Sequence, residues 1–342
     1  MMLYFNATLC RSPVFRNYSN RKSFVLAAIF CGLVLFPTMR SMQVMGQDKP
    51  AKKRDKLPAP ERILLKTKDQ VRLACVYFAS TKGKDAAPVI LIHGWKGVGG
   101  EFNRLGQFLQ SLGHAVIVPD LRGHGESVHR RTSDGELVTI DPERMKVAEI
   151  AGMYEYDIEA VKKHLLTEHD AGKLNVEMLT IVGAKMGAII AANWAVQDWS
   201  WPVLPTLKQG QDVKALVLIS PRSAFKGLKM QPAYQDENVR TLPTLVLVGT
   251  DSQRAYSESM RLHTKLKRFH ISDSKEARRA NLPQTLFFVQ FPTSLQGTTL
   301  LDARIKKGRF SPHEWISEFI QHSLVSHRED YAWEQRKHSS GG

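Results

Sequence analysis

The apolar residues of this chain fall into short continuous runs that alternate with longer segments of helical periodicity. Short runs of this kind are typical of strands that are covered on both faces of a sheet. Residues 102–112, 156–165 and 312–325 instead repeat their apolar positions every three or four residues, which predicts helices. The predicted strands are 63–65, 71–78, 88–92, 115–118, 178–182, 215–219, 245–248 and 286–289. This alternation predicts one α/β domain with a mostly parallel, eight-stranded sheet and helices on both faces.

Composition sets the limits of this domain, which is predicted to span residues 61–325. Residues 47–60 are rich in Lys, Pro and Ala and predict an extended linker. Residues 326–342 are polar and predict a frayed carboxyl-terminal tail. Little sequence is available for a lid between the strands 215–219 and 245–248, so no large cap is expected.

Residues 1–46 have the pattern of a targeting segment. They hold five basic residues and no acidic residue, and residues 24–36 form an apolar run. This run is short for a membrane span and typical of a secretory signal peptide. Cleavage before Gln47 is the favoured interpretation, and an uncleaved membrane anchor is the alternative because Pro37 and Arg40 interrupt the usual spacing. In both cases we expect an exported protein, secreted or periplasmic or held at a membrane by this segment.

The formal net charge of +15 on the 342 residues is spread unevenly. Much of the excess lies in the leader and the linker, and no aromatic residues alternate with basic ones to form a base-stacking surface. Nucleic acid is therefore not the expected partner. Cys75 is the one cysteine after the leader, and the sequence contains no metal-ligand spacing and no nucleotide-binding motif, so no metal or cofactor is predicted.

Lys185 lies at the centre of the sequence Gly183-Ala184-Lys185-Met186-Gly187, between a predicted strand and an apolar segment. A strand, a Gly-x-residue-x-Gly turn and a helix form the setting of a nucleophile elbow. The glycines are expected because the turn is sharp, and side chains at those positions would collide with the neighbouring backbone. The chain therefore keeps the turn but has a lysine where a hydrolase needs a hydroxyl.

Three further motifs follow predicted strands: His93-Gly94-Trp95-Lys96-Gly97, the segment 120–127 (DLRGHGES), and Gly249-Thr250-Asp251. With the glycine turn, their order resembles that of the α/β-hydrolase superfamily, especially its cap-less esterase or serine-aminopeptidase-like branch. The resemblance covers about residues 61–325 and implies an α/β-hydrolase fold.

The resemblance also implies roles for individual residues. An oxyanion hole would be formed by backbone amides at Gly94, Trp95 and Met186. Asp251 stands where the family often has its catalytic acid, and Gln296 takes the place of the catalytic histidine. The degenerate triad is therefore Lys185, Asp251 and Gln296.

The remaining histidine and serine candidates are predicted to be structural. His93 and His124 belong to motifs that hold loops together, whereas Ser127 and Ser220 lie near strand ends without the glycine turn.

Acyl transfer needs a nucleophilic oxygen and a base that takes its proton, and neither Lys185 nor Gln296 supplies these. The favoured hypothesis is a non-catalytic pseudo-hydrolase that binds a small ligand, an anion among the candidates, or a protein partner. The alternative is an active carboxylesterase or peptidase-like hydrolase that uses other residues.

Four interpretations of Lys185 remain open from the sequence. The lysine is a product of drift, or it pairs with Asp251 with Gln296 bridging the two. It can instead hold an anion together with the amides of the helix N-terminus. A desolvated amine could also form a Schiff base with a carbonyl substrate, which requires a closed apolar pocket.

Overall fold

A single large sheet organises the domain in the computed structural model, which describes residues 56–202, 204, 208–270, 283–304 and 309–336. The predicted leader and most of the predicted linker lie outside the described residues. Residues 56–60 have no regular secondary structure. None of the described helices is long and apolar enough to span a membrane.

The sheet contains ten strands rather than the predicted eight, in the order β12-β11-β8-β7-β3-β4-β2-β5-β6, with β1 paired to β2. All eight predicted strands are present. The two strands of this sheet that were missed, β5 and β6, are three-residue antiparallel strands at one edge. Both are too short to give an apolar run, and β5 is polar throughout. A separate hairpin, β9 and β10, follows β8. The strands are β1 Glu61–Lys66, β2 Val71–Phe78, β3 Pro88–Ile92, β4 Ala115–Pro119, β5 His129–Arg131, β6 Leu137–Thr139, β7 Leu179–Ala184, β8 Val213–Ile219, β9 Ala224–Phe225, β10 Leu228–Lys229, β11 Thr244–Gly249 and β12 Leu286–Phe291.

The strands from β4 to β12 along this order are parallel, as the continuous apolar runs predict. Successive residues of a strand point to opposite faces, so Ile181 and Val182 of β7 belong to two different hydrophobic clusters. One cluster includes Trp194 and the other includes Ile316. The predicted arrangement of helices on both faces is confirmed. The helices are α1 Asn103–Ser111, α2 Val147–Gly152, α3 Ile158–Asp170, α4 Met186–Ser200, α5 Gln231–Gln235, α6 Gln253–Lys267 and α7 Pro312–Ser323.

The segment after α7 packs against the domain as far as Arg336, so the prediction of a frayed tail from residue 326 is wrong for this part. The Trp333 indole N–H donates to the backbone carbonyls of His169 and Leu174, each at 3.2 Å. The Arg336 guanidinium is buried and contacts Glu177 and Asp212. A polar sequence concealed this packing because its anchors are an indole N–H and a buried ion pair rather than an apolar stripe.

Candidate functional site

The carboxyl ends of the parallel strands bring the motif residues to one edge of the sheet. The neighbours β3, β7, β8, β11 and β12 run in the same direction, so the loops that follow them meet at that edge. These loops carry Gly94 and Trp95, Lys185, Ser220, Asp251, and Gln296.

The elbow turn, residues 183–187, links β7 to α4 in the predicted sharp conformation. Lys185 has φ 52° and ψ −109°, a backbone conformation that non-glycine residues rarely adopt. A Cβ atom on Gly183 would lie 2.3 Å from the carbonyl oxygen of Gly187. A Cβ atom on Gly187 would lie 2.4 Å from the carbonyl oxygen of Ile92 on β3. The steric reason for both glycines is therefore confirmed.

The backbone and the aliphatic chain of Lys185 are both held in place. Its amide N–H donates to the carbonyl of Ile219 at the end of β8, at 2.9 Å. Its methylene groups lie over the Cα atom of Gly297, where an added Cβ atom would approach Cε to 2.7 Å and Cγ and Cδ to 2.9 Å. This side chain can lie there only because residue 297 is glycine.

The ion pair between Lys185 and Asp251, one of the four interpretations left open by the sequence, is not formed. Across the residues that the structure describes, the Lys185 amine has neither an ion-pair partner nor a hydrogen-bond partner. Asp251 is exposed, and its Oδ1 accepts a hydrogen bond from the Thr250 hydroxyl at 3.1 Å. Its backbone N–H donates to the Thr293 carbonyl at 3.2 Å. The carboxylate thus takes its donor from the neighbouring Thr250 instead of from Lys185.

Gln296 connects three strand ends and does not bridge Lys185 to Asp251. Its Oε1 accepts a hydrogen bond from the Ser220 hydroxyl at 2.7 Å, and its Nε2 donates to the Gly249 carbonyl at 2.8 Å. Ser220 is 2% exposed and also accepts from the Gly297 N–H at 2.9 Å. The Ser220 hydroxyl therefore joins β8 to the loop after β12, as expected for a structural serine.

The three residues assigned to an oxyanion hole lie around the elbow turn. A Cβ atom on Gly94 would lie 3.4 Å from the Ala184 carbonyl oxygen and 3.6 Å from Lys185 Cβ. The Met186 side chain is buried in the hydrophobic core. The Trp95 ring meets the His124 ring edge-on, with centroids 5.0 Å apart. The role of their amides as anion donors stays a prediction.

The hairpin formed by β9 and β10 covers the Trp95 side of the site. The centroids of Phe225 and Trp95 are 5.4 Å apart, and the Lys226 amine lies 4.2 Å from the centre of the Trp95 ring. Glu143 contacts Lys96 at 2.6 Å and Lys226 at 3.9 Å, so it connects the Trp95 loop to the hairpin. This cover is small, in agreement with the predicted lack of a large cap.

His93 is a neutral structural residue, as predicted. Its Nε2 accepts a hydrogen bond from the Leu121 N–H at 3.0 Å, so the proton is on Nδ1, which donates to the Gly94 carbonyl at 2.7 Å. Burial lowers the pKa of His93 to about 4. His124 has the same kind of role, because its Nδ1 contacts the Arg122 carbonyl at 2.9 Å and its ring is buried. Neither ring supplies a base at the elbow turn.

A pocket of about 180 Å³ opens beside the Lys185 side chain. It combines three cationic side chains with one carboxylate and is polar, so it is not the closed apolar pocket that a Schiff-base lysine requires. Arg222, Arg254 and Glu258 belong to no motif, so sequence reasoning missed them. We call this space the basic pocket, and its lining residues are Lys185, Ser220, Arg222, Ser252, Arg254, Ala255, Glu258 and Gln296.

Comparison with known proteins agrees with this architecture. The sequence model of the alpha/beta hydrolase fold family matches residues 87–337. A search of curated proteins finds no match. Among solved structures, DcsB in complex with its substrate analogue has 15% identity and a TM-score of 0.53, covering 78% of this chain and all of that one. The esterase Pf2001 of Pyrococcus furiosus has 16% identity and a TM-score of 0.52, covering 78% of this chain and 91% of that one. At such low identity these structures support the fold alone.

Proposed function

The chain belongs to the α/β-hydrolase fold family, and we propose that it is a non-catalytic member, which binds a ligand at its elbow turn instead of cleaving one. A pseudo-hydrolase keeps the scaffold that presents a ligand to the strand ends while it loses the groups that carry the reaction. The basic pocket next to Lys185 is the place where this ligand would bind.

The contacts of Gln296 carry this proposal. A hydrolase needs a titratable base that reaches the nucleophile, but the Gln296 amide has no titratable proton and both of its polar atoms are engaged by Ser220 and Gly249. Loss of either nucleophile or base in serine hydrolases lowers turnover by about six orders of magnitude. Any remaining acceleration would come from binding and from backbone amides.

The second candidate function is an active hydrolase with Ser220 as its nucleophile. It is favoured by the fact that the Ser220 hydroxyl and the Lys185 amine line the same pocket, because serine and lysine act together in some hydrolases. Against it, the Ser220 proton is directed to Gln296 and its oxygen already accepts from the Gly297 N–H. Attack would require these two hydrogen bonds to break first.

A serine-reactive fluorophosphonate probe separates the two functions. We expect no labelling of the native chain, whereas the double variant Lys185→Ser, Gln296→His is expected to gain labelling and short-chain esterase activity. Stoichiometric labelling of the native chain would overturn the proposal. Loss of that labelling in Ser220→Ala would then identify Ser220 as the nucleophile of the alternative.

Export is a further part of the proposal and is supported by the basic residues and the apolar run of residues 1–46. Amino-terminal sequencing of the protein recovered from its own cells tests it. A start at Gln47 supports cleavage, and an intact amino terminus in the membrane fraction supports an anchor. An intact chain confined to the soluble cytoplasmic fraction would contradict export.

A further inference from the structure

We propose that the basic pocket binds a small oxyanion with about two negative charges, such as a phosphoryl group, through Lys185, Arg222 and Arg254. This inference rests on the proposed function and names the chemical class of its ligand. It extends the site beyond the elbow turn to two arginines that no motif marks.

The charges around the pocket are not balanced by the protein. Within the described part of the chain, neither Lys185 nor Arg222 has a carboxylate partner, and the Arg222 guanidinium lies 5.5 Å from the centre of the Phe225 ring. Arg254 contacts Glu258 at 3.2 Å, so that pair is neutral. Two positive charges remain, and like charges that share a pocket repel each other until an anion neutralises them.

The Arg254 side chain can turn toward a ligand at little cost. It is 82% exposed, and an ion pair with so exposed a partner contributes little to stability. Glu258 is 17% exposed and stays in place, because its Oε2 also accepts from the Ser223 N–H at 3.2 Å. A guanidinium offers two parallel donors to an oxyanion, whereas an ammonium acts as a compact charge. The pocket thus presents two guanidinium groups and one ammonium group, and this set of donors suits the several oxygens of a phosphoryl group.

The size of the pocket suits a small anionic group. Its volume of about 180 Å³ accommodates a phosphoryl or carboxylate group, and any larger remainder of the ligand would extend through the open side into solvent. The Lys185 amine is held at its wall because the methylene groups lie over Gly297 and the backbone is fixed by Ile219.

Isothermal titration calorimetry of the full-length chain at low ionic strength tests the proposal with inorganic phosphate, methyl phosphate, succinate and acetate as probes. We expect phosphate to bind, and Lys185→Gln and Arg222→Gln each to weaken it by about tenfold or more, since each removes a charge-assisted contact. Glu258→Gln is expected to tighten binding, because it removes the competing carboxylate and frees Arg254. The matched control is Lys173→Gln, an exposed surface lysine before β7 at the opposite edge of the sheet, which should leave binding unchanged.

Each outcome bears on the proposal. Tighter binding of methyl phosphate than of succinate identifies a phosphate ester as the source of the charge, and the reverse order identifies a dicarboxylate; both support a doubly charged oxyanion. Acetate binding as tightly as phosphate, equal weakening by Lys173→Gln, or no measurable binding of any probe would overturn it. Absence of anion binding in the calorimetry would not change the result of the fluorophosphonate labelling. Labelling of the native chain would likewise leave the anion titration interpretable. The anion proposal and the proposal of a non-catalytic protein can therefore fail separately.

Discussion

The Ser220 hydroxyl donates a 2.7 Å hydrogen bond to Oε1 of Gln296, the residue at the position that the family resemblance assigns to a catalytic histidine. The same hydroxyl accepts from the Gly297 N–H at 2.9 Å, and Gln296 Nε2 donates to the Gly249 carbonyl at 2.8 Å. One serine and one glutamine therefore join the ends of β8 and β11 to the loop after β12. A position that would carry a proton shuttle in a hydrolase serves as a structural tie.

A double-mutant cycle on Ser220 and Gln296 is expected to show coupling. Ser220→Ala leaves the Gly297 N–H and Gln296 Oε1 without this partner, which should lower the free energy of unfolding by about 1–3 kcal/mol. Gln296→Ala removes two hydrogen bonds, and the double variant should lose less than the sum of the single losses, by about 1 kcal/mol. Urea denaturation measures all four proteins. Strict additivity would contradict a direct bond between the two side chains.

The close packing of Lys185 on Gly297 predicts that substitutions at these two positions have coupled effects on stability. Gly297→Ala places a methyl group within 2.7–2.9 Å of the lysine methylene groups and at φ +65°, so we expect lower thermal stability. Lys185→Ala removes the methylene groups, and combined with Gly297→Ala it should restore most of the steric part of the loss. The strain of the positive φ remains in the double variant. Melting temperatures measure the effect. If Gly297→Ala lowers the melting temperature equally in the native chain and in Lys185→Ala, the lysine side chain does not lie on this glycine.

Much of this site could be predicted from the sequence. The rest could not, and the reasons are physical. The glycines at 183 and 187 predicted a sharp turn because backbone collisions are local and depend on residue type. The ion pair of Lys185 with Asp251 was one interpretation left open by charge alone and is not formed, because the exposed Asp251 carboxylate has a local donor in the Thr250 hydroxyl. Short polar hydrogen bonds of this kind leave no periodic signal.

The same limit applies to the fold. Eight strands were predicted because burial on both faces demands apolar runs, whereas β5 and β6 are held at an edge by backbone pairing and carry no such run. The arginines of the basic pocket come from the loop after β8 and from α6, elements that are distant in sequence and adjacent only in the folded sheet.

Arg336 is expected to stabilise the domain far from the candidate site. Arg336 is 7% exposed. Its guanidinium contacts Glu177 at 2.5 Å and the fully buried Asp212, which also contacts Lys162 at 2.9 Å. Arg336→Met removes one partner from buried carboxylates, and such a loss costs about 3–5 kcal/mol when the remaining charge is left uncompensated. Lys162 and Lys208 still face Asp212, and Lys208 still faces Glu177, so neither carboxylate is left without a cation. We therefore expect a loss at or below the lower end of this range in chemical denaturation.

The matched control for this change is Arg328→Met, which alters an exposed arginine of the same carboxyl-terminal segment. It should leave the free energy of unfolding within about 0.5 kcal/mol of the native value. Equal effects of the two variants would contradict the packing of the chain end against the domain.

Two buried histidines are expected to make the domain sensitive to acid. Burial lowers the pKa of both His93 and His114 to about 4, from an ordinary value of 6.5. Between these values the unfolded state binds more protons than the folded state, so stability rises with pH. The stability associated with the two neutral rings is fully present above about pH 6.5 and is lost as the pH falls toward about 4. The free energy of unfolding then changes by at most about 1.4 kcal/mol per pH unit for each histidine.

Comparison of variants separates the effect of the buried histidines on the pH dependence of stability from the effects of other groups. Burial raises the pKa of Asp157 to about 6, and this carboxyl acts in the opposite direction because its ionised form is disfavoured in the fold. His114→Gln removes one histidine and leaves Asp157 in place, so the loss of stability between pH 6.5 and pH 4.5 should become smaller than in the native chain. His129→Gln, on the short edge strand β5, serves as the control and should keep the native pH dependence. Urea denaturation at four or five pH values measures the slopes, and an unchanged slope in His114→Gln would contradict a depressed histidine pKa as the cause.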